Sequence, residues 1–231
     1  MRLLAFLCCL LPLALNAQEK KGDRTCRILF LGGADSDPEK LYLHDGTTAQ
    51  EVELPRLNLS KIYELPGGAL TLKMLPTLPA EGQPVPAGAP SAALPETTGD
   101  FYLLLSPDTA NKVAPVRMQV IDASVDRFKP GQMLWFNLTA NDVGGSVGSQ
   151  QLVLKTRSKL ILDPPASKVD SYNVNLTFRI PGKDALYPLC ETQWNHDPAT
   201  RTIVFVVTEP GSRTPRVLGF PDHRVSSGKN P

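Results

Sequence analysis

The chain of 231 residues carries 24 Lys and Arg against 23 Asp and Glu, a formal charge of +1. No basic block stands out, so the electrostatic footprint of a nucleic-acid binder is missing. Its 22 prolines and 17 glycines break the chain too often for long helices, and after the N-terminus no apolar run approaches the roughly 18 residues of a membrane span.

Residues 1–17, "MRLLAFLCCLLPLALNA", have a basic start at Arg2, an apolar run and a small residue, Ala17, before polar "QEKKGDR". That layout predicts a secretory signal peptide cleaved near Ala17, hence a secreted or periplasmic product. Cys8 and Cys9 lie inside the apolar run without the small-residue box of a lipoprotein. Once the signal is removed, only Cys26 and Cys190 remain. An oxidising compartment can join such a pair, which would stabilise the fold by about 4–5 kcal/mol in the chain-entropy model; two buried thiols are the alternative.

The mature chain then reads as short strands between turns. "CRILFLGG" (26–33), "KLYLHDG" (40–46) and "QEVELP" (50–55) come first, the second ending in the Asp-Gly of a hairpin. "KIYELPGGALTLKML" (61–75) gives two more runs, with Leu70, Leu72 and Met74 alternating against Thr71 and Lys73. Residues 76–99 hold six prolines and few large apolar side chains, the composition of a linker or long surface loop. Strands resume in "DFYLLLSP" (100–107), "APVRMQVID" (114–122), "MLWFNLT" (133–139), "QLVLK" (151–155) and "KLILD" (159–163). "SYNVNLTFRI" (171–180) alternates cleanly, whereas "RTIVFVVTEP" (201–210) is almost continuously apolar and suits the middle of a sheet. "PRVLGFPDHR" (215–224) adds an edge segment before a polar tail at 223–231. The expectation is an all-β protein. Two β-sandwich modules of Ig-like or prealbumin-like type, at 24–75 and 100–222, would be joined by the Pro/Ala-rich segment 76–99. One elaborated sandwich with a long excursion is the alternative.

"ADSDPEKLYLHDG" and "LNLSKIYELPGGALTLKML", within Arg27 to Leu75, resemble uncharacterised bacterial secreted domains with the pattern SPDAP…VDVYVDG…SxYxxLPAGxYxLxV. The order Asp35-Ser36-Asp37-Pro38 departs from that pattern in its first segment. "MLWFNLTANDVGGSVGS" and "WNHDPATRTIVFVV" are similar to stretches in uncharacterised secreted proteins of planctomycete and verrucomicrobial bacteria. Both resemblances imply β-rich extracytoplasmic modules and bring no activity or catalytic residue.

Several stretches invite a chemical reading. Gly144-Gly145-Ser146-Val147-Gly148 spells G-x-S-x-G, the elbow that exposes a nucleophilic serine between a strand and a helix. The residues after Gly148 read as strands, so a glycine turn is expected, with Gly144, Gly145 and Gly148 supplying backbone freedom around Ser146. Close backbone approach to a neighbouring strand or a partner would explain the three glycines. His196 beside Asp197 could suggest an acid–base pair, but Asp-Pro is a turn opener and a hairpin turn is expected. Asp35, Asp37 and Glu39 alternate like calcium ligands without the glycine and glutamate of an EF-hand loop. His44, His196 and His223 are scattered, so neither a metal site nor a cofactor is expected. Trp135, Phe136 and Trp194 would form a sugar-stacking row only if exposed, and packing is the expected role. The sequons at Asn58, Asn137 and Asn175 are incidental in a bacterial protein.

The sequence thus points to a non-enzymatic secreted or periplasmic structural or interaction protein. Its partner would be another extracytoplasmic protein, engaged through a sheet edge or an exposed face. The alternatives are a secreted serine hydrolase using Ser146 and a carbohydrate-binding module.

Overall fold

The computed structural model describes residues 24–32, 34, 37–80, 83–209 and 211–223. The expected signal segment 1–17, Asp35 and Ser36 of the acidic loop, and the tail beyond His223 lie outside the described residues. The described residues form sixteen strands in four sheets and contain no helix.

The first half begins with β1 (Arg24–Phe30), β2 (Lys40–His44), β3 (Ala49–Glu53) and β4 (Tyr63–Leu65), and continues through β5 (Leu70–Leu75), β6 (Ser91–Leu94), β7 (Phe101–Pro107) and β8 (Val116–Asp122). An inner sheet of order β4-β1-β7-β8 faces an outer sheet of order β3-β2-β5-β6. The second half comprises β9 (Met133–Asn137), β10 (Asp142–Val147), β11 (Gln150–Leu154) and β12 (Lys159–Leu162), then β13 (Asp170–Arg179), β14 (Leu186–His196), β15 (Arg201–Val207) and β16 (Arg216–Asp222). Its inner sheet runs β12-β9-β15-β16 and its outer sheet β11-β10-β13-β14.

Raising every strand number of the first half by eight reproduces the second. The pairing sense repeats too: β1 with β7 and β9 with β15 are parallel, and every other pair is antiparallel. The molecule is a tandem pair of eight-stranded sandwiches, all-β as expected.

The division falls between Asp122 and Met133, which corrects the linker expected at 76–99. Its prolines hide a strand: β6 pairs with β5, and Met74 N donates to Pro90 O at 2.9 Å. Arg24 also reaches in, donating to Pro95 O at 3.2 Å and Gly68 O at 2.6 Å. The segment is an excursion sewn to the first sandwich.

Strand alternation decides the layering. Cys26, Ile28 and Phe30 of β1, with Phe101, Leu103 and Leu105 of β7, pack against the first outer sheet. Leu29, Tyr102 and Leu104 point the other way and meet Leu134, Phe136, Ile203, Phe205 and Phe220 of the second inner sheet. Trp135, Val204 and Val206 fill the second sandwich. The inner sheets therefore pack back to back, and β1, β7, β9 and β15 are buried on both faces. That double burial explains why "FYLLL" and "TIVFVV" read as continuous apolar runs rather than alternating ones. Each large side chain so buried contributes about 1.5–3 kcal/mol.

A buried ionic cluster fastens the halves. Asp222, whose side chain is 0% exposed, accepts from Arg27 Nη1 of the first half at 2.6 Å and from Arg201 Nη2 at 3.0 Å. Tyr102 donates its hydroxyl to the same carboxylate at 2.5 Å. Arg201 donates further to Ala123 O (2.6 Å) and Phe128 O (3.1 Å) in the connector between halves. With its hydrogen-bonding capacity used this fully, the buried charge is tolerated, and removing one partner would strand the others.

Cys26 and Cys190, the expected pair, are not joined to each other. Cys26 lies in the core of the first sandwich and Cys190 packs against that of the second, with both inner sheets between them. Burial pushes the Cys190 thiol pKa up, as suits a small core residue.

Candidate functional site

The glycine motif is not a turn for most of its length. Gly144, Gly145 and Ser146 lie within β10, between β11 and β13, with Ser146 opposite Gln151 and Asn175. Val143 and Val147 face the core, so Ser146 sits on the outer face, half-buried, and the next element is another strand. That is not the strand–turn–helix setting that aims a nucleophile at an oxyanion hole. Only Gly148 belongs to a turn, at φ 59°, starting the two-residue link to β11. Gly145 answers the question of close approach: a Cβ there would meet Asn175 O at 2.0 Å and Leu176 Cα at 2.9 Å, and its φ is +145°. Gly144 is unconstrained by comparison, with its nearest neighbour, Leu152 O, at 3.5 Å.

His196 and Asp197 end β14 and open the link to β15. This is a corner between the outer and inner sheets rather than the expected hairpin. Asp197 shapes it by accepting from Ala199 N and Thr200 Oγ1, both at 2.9 Å. The Ala199 amide, then the Thr200 hydroxyl, hold its carboxyl below the usual range, and the charges of His223 and His196 add to that. His223 Nδ1 lies 3.0 Å from Thr200 Oγ1. A hydroxyl has one hydrogen, which Thr200 gives to the carboxylate. It therefore accepts from His223, placing a proton on Nδ1.

These groups border a cleft of about 270 Å³ at one end of the second sandwich. Met133, Tyr172, His196, Thr202 and Pro221 line it from five different strands. His196 is only 5% exposed, and its Nε2 finds no hydrogen-bond partner among the described residues. Tyr172 donates only to the Met133 thioether, at 3.6 Å, and burial pushes its pKa up to about 12. The cleft contains no cluster of ligands suited to a metal ion among the described residues.

The aromatic trio does not form a row. Trp135 is sealed in the second core, and Phe136 points oppositely into the core between the halves. Trp194 is half-buried, stacked on Trp135 with ring centroids 5.9 Å apart. In the acidic loop Asp37 serves a turn, accepting from Ala34 N at 2.9 Å. Asn137 is fully buried; it donates to Asn141 O at 2.6 Å and accepts from Thr139 Oγ1 at 2.7 Å, so that sequon is a structural knot.

One surface went unseen in the sequence: β14, eleven residues long, at the edge of the second outer sheet. Gly148 N donates to Asn173 O, so the backbone groups of Asn173 face β10. Alternation then turns those of Val174 towards Thr192 on β14, and those of Glu191, Gln193 and Asn195 to the free edge. Pro188 and the unpaired Leu189, where the register shifts, blunt the first half of this edge. Among the described residues, nothing comparable guards Glu191 to His196.

No known family model and no curated protein matches this chain.

Proposed function

We propose that this protein is a non-enzymatic, extracytoplasmic interaction module that receives an extended segment of another protein along β14. The observation that carries the reading is the second half of the β14 edge, where three successive outward-facing peptide groups have no backbone partner among the described residues. The occupant is a strand-forming polypeptide, because the edge offers alternating backbone donors and acceptors beside the exposed polar side chains of Glu191, Gln193 and Asn195. The back-to-back packing of the inner sheets supports a scaffolding role by holding this edge on a rigid base. The N-terminal layout and the likeness of Arg27–Leu75 to bacterial secreted domains support an extracytoplasmic setting.

Gln193→Pro tests the reading. Proline removes one outward N–H and leaves the inner ladder, made through Thr192, in place. Envelope proteins retained by the wild type should be lost from Gln193→Pro and kept by Gln193→Ala. Equal retention by both variants would overturn strand addition.

A further inference from the structure

The cleft at the end of the second sandwich is bordered by two polar side chains with unspent hydrogen-bonding capacity, His196 and Tyr172. His196 is nine-tenths buried and borders the cleft, and its Nε2 has no hydrogen-bond partner among the described residues. Burial pushes the Tyr172 hydroxyl pKa up to about 12, and its one hydrogen-bond partner among the described residues is a thioether. Asp197, the one acidic residue among the described lining, is already occupied by Ala199 N and Thr200 Oγ1. The remaining walls, Met133, Val169 and Pro221, are apolar.

From this we infer that the cleft binds a carboxylate carrying a short apolar group. The carboxylate accepts from His196 and Tyr172, and the hydrocarbon lies against Met133 and Val169. Oxygen acceptors meet the unspent donors, and the volume suits a group of a few carbons. The same chemistry is offered by a free short-chain acid and by the C-terminal residue of a peptide. Binding here goes beyond strand addition at β14 and does not depend on it.

Imidazole resonances make the test direct, because the chain has three histidines and His44 belongs to the other sandwich. Its ring accepts from Gly46 N at 3.0 Å, away from the cleft residues, so it serves as an internal control. The full chain is titrated with sodium butyrate, with an N-acetylated pentapeptide ending in valine, with its C-terminal amide, and with butan-1-ol. Saturable shifts of His196 and His223 with butyrate or the acid peptide, His44 unmoved, are expected. The amide and the alcohol should give none. Tighter binding of the acid peptide than of butyrate identifies a chain end as the source; the reverse identifies a free acid. Affinity should fall about tenfold or more in His196→Phe, and by a smaller factor in Tyr172→Phe, which keeps the ring in place. Absence of saturable shifts, equal response to butan-1-ol, or undiminished binding in Tyr172→Phe and His196→Phe would overturn the inference.

Discussion

The two sandwiches share one topology yet differ in the pair of strands farthest from the shared interface. In the first, β5 and β6 are six and four residues long, and the edge strand is flanked by prolines. In the second, the corresponding β13 and β14 run to ten and eleven, and both the cleft and the unguarded edge lie on that extension. The inner sheets had little freedom to diverge, because their central strands are buried on both faces. The outer sheets have one solvated face and could lengthen. The repeated topology thus joins a half with short outer strands to a half with long ones.

The largest test of that comparison concerns the seam. Asp222→Ala leaves Arg27 and Arg201 facing each other in a buried site and should cost about 3–5 kcal/mol. Both tryptophans lie in the second half. Urea unfolding followed by their fluorescence and by far-UV circular dichroism should shift together, since the seam belongs to both sandwiches. A shift in fluorescence alone would mean the halves are energetically separate.

Within β10, Gly145→Ala should cost about 2–3 kcal/mol, through a backbone clash and a left-handed φ. Gly144→Ala should stay within about 1 kcal/mol, as its neighbour lies at contact distance. Equal losses in thermal unfolding would refute the close-approach explanation.

The hairpins β2–β3 and β10–β11 each carry a positive-φ glycine, Gly46 and Gly148, but the longer β2–β3 turn is also held by a carboxylate. Asp45 accepts from the backbones of Thr47 (2.8 Å) and Thr48 (2.7 Å) and from both hydroxyls. Burial is the largest single influence on its carboxyl and pushes the pKa up. The Thr48 and Thr47 hydrogen bonds together outweigh it and hold the carboxyl below its ordinary 3.8. A depressed pKa gives stability that is full above 3.8 and is lost as pH falls through the folded value. Asp45→Asn should therefore flatten the acid limb of the stability profile below about pH 4, measured by urea unfolding at several pH values. An unchanged acid limb would rule out this carboxylate as a contributor.

The smallest effect is expected at Ser146. A fluorophosphonate probe should leave it unlabelled, and Ser146→Ala should change stability by less than about 0.5 kcal/mol. Stoichiometric labelling lost in that variant would restore the hydrolase reading.

Much of the fold was legible because local pattern and burial agree. The alternation in 171–180 and the continuous runs at 100–107 and 201–210 fall on strands, and their contrast matches one-sided against two-sided burial. β6 was hidden by composition, since Ser91–Leu94 lies among prolines and owes its strand state to pairing with β5. β14 was hidden by Pro188 and by the register shift at Leu189, which spoil the period of two. The repeated strand order has no visible counterpart as a repeat of residues, because a sheet order constrains burial rather than identity. At the candidate site His196 and Asp197 were visible as neighbours. The link of Asp197 through Thr200 to His223, and the contact of Arg27 with Asp222 across 195 positions, are products of the fold alone.

The central claim is that β14 presents a free edge to a partner strand, and residue-resolved amide hydrogen exchange tests it most directly. In the free protein the amide of Thr192 should be protected and those of Glu191, Gln193 and Asn195 should exchange quickly. In the complex purified with its partner all four should be protected. Protection of Gln193 in the free protein, or fast exchange there in the complex, would contradict the account.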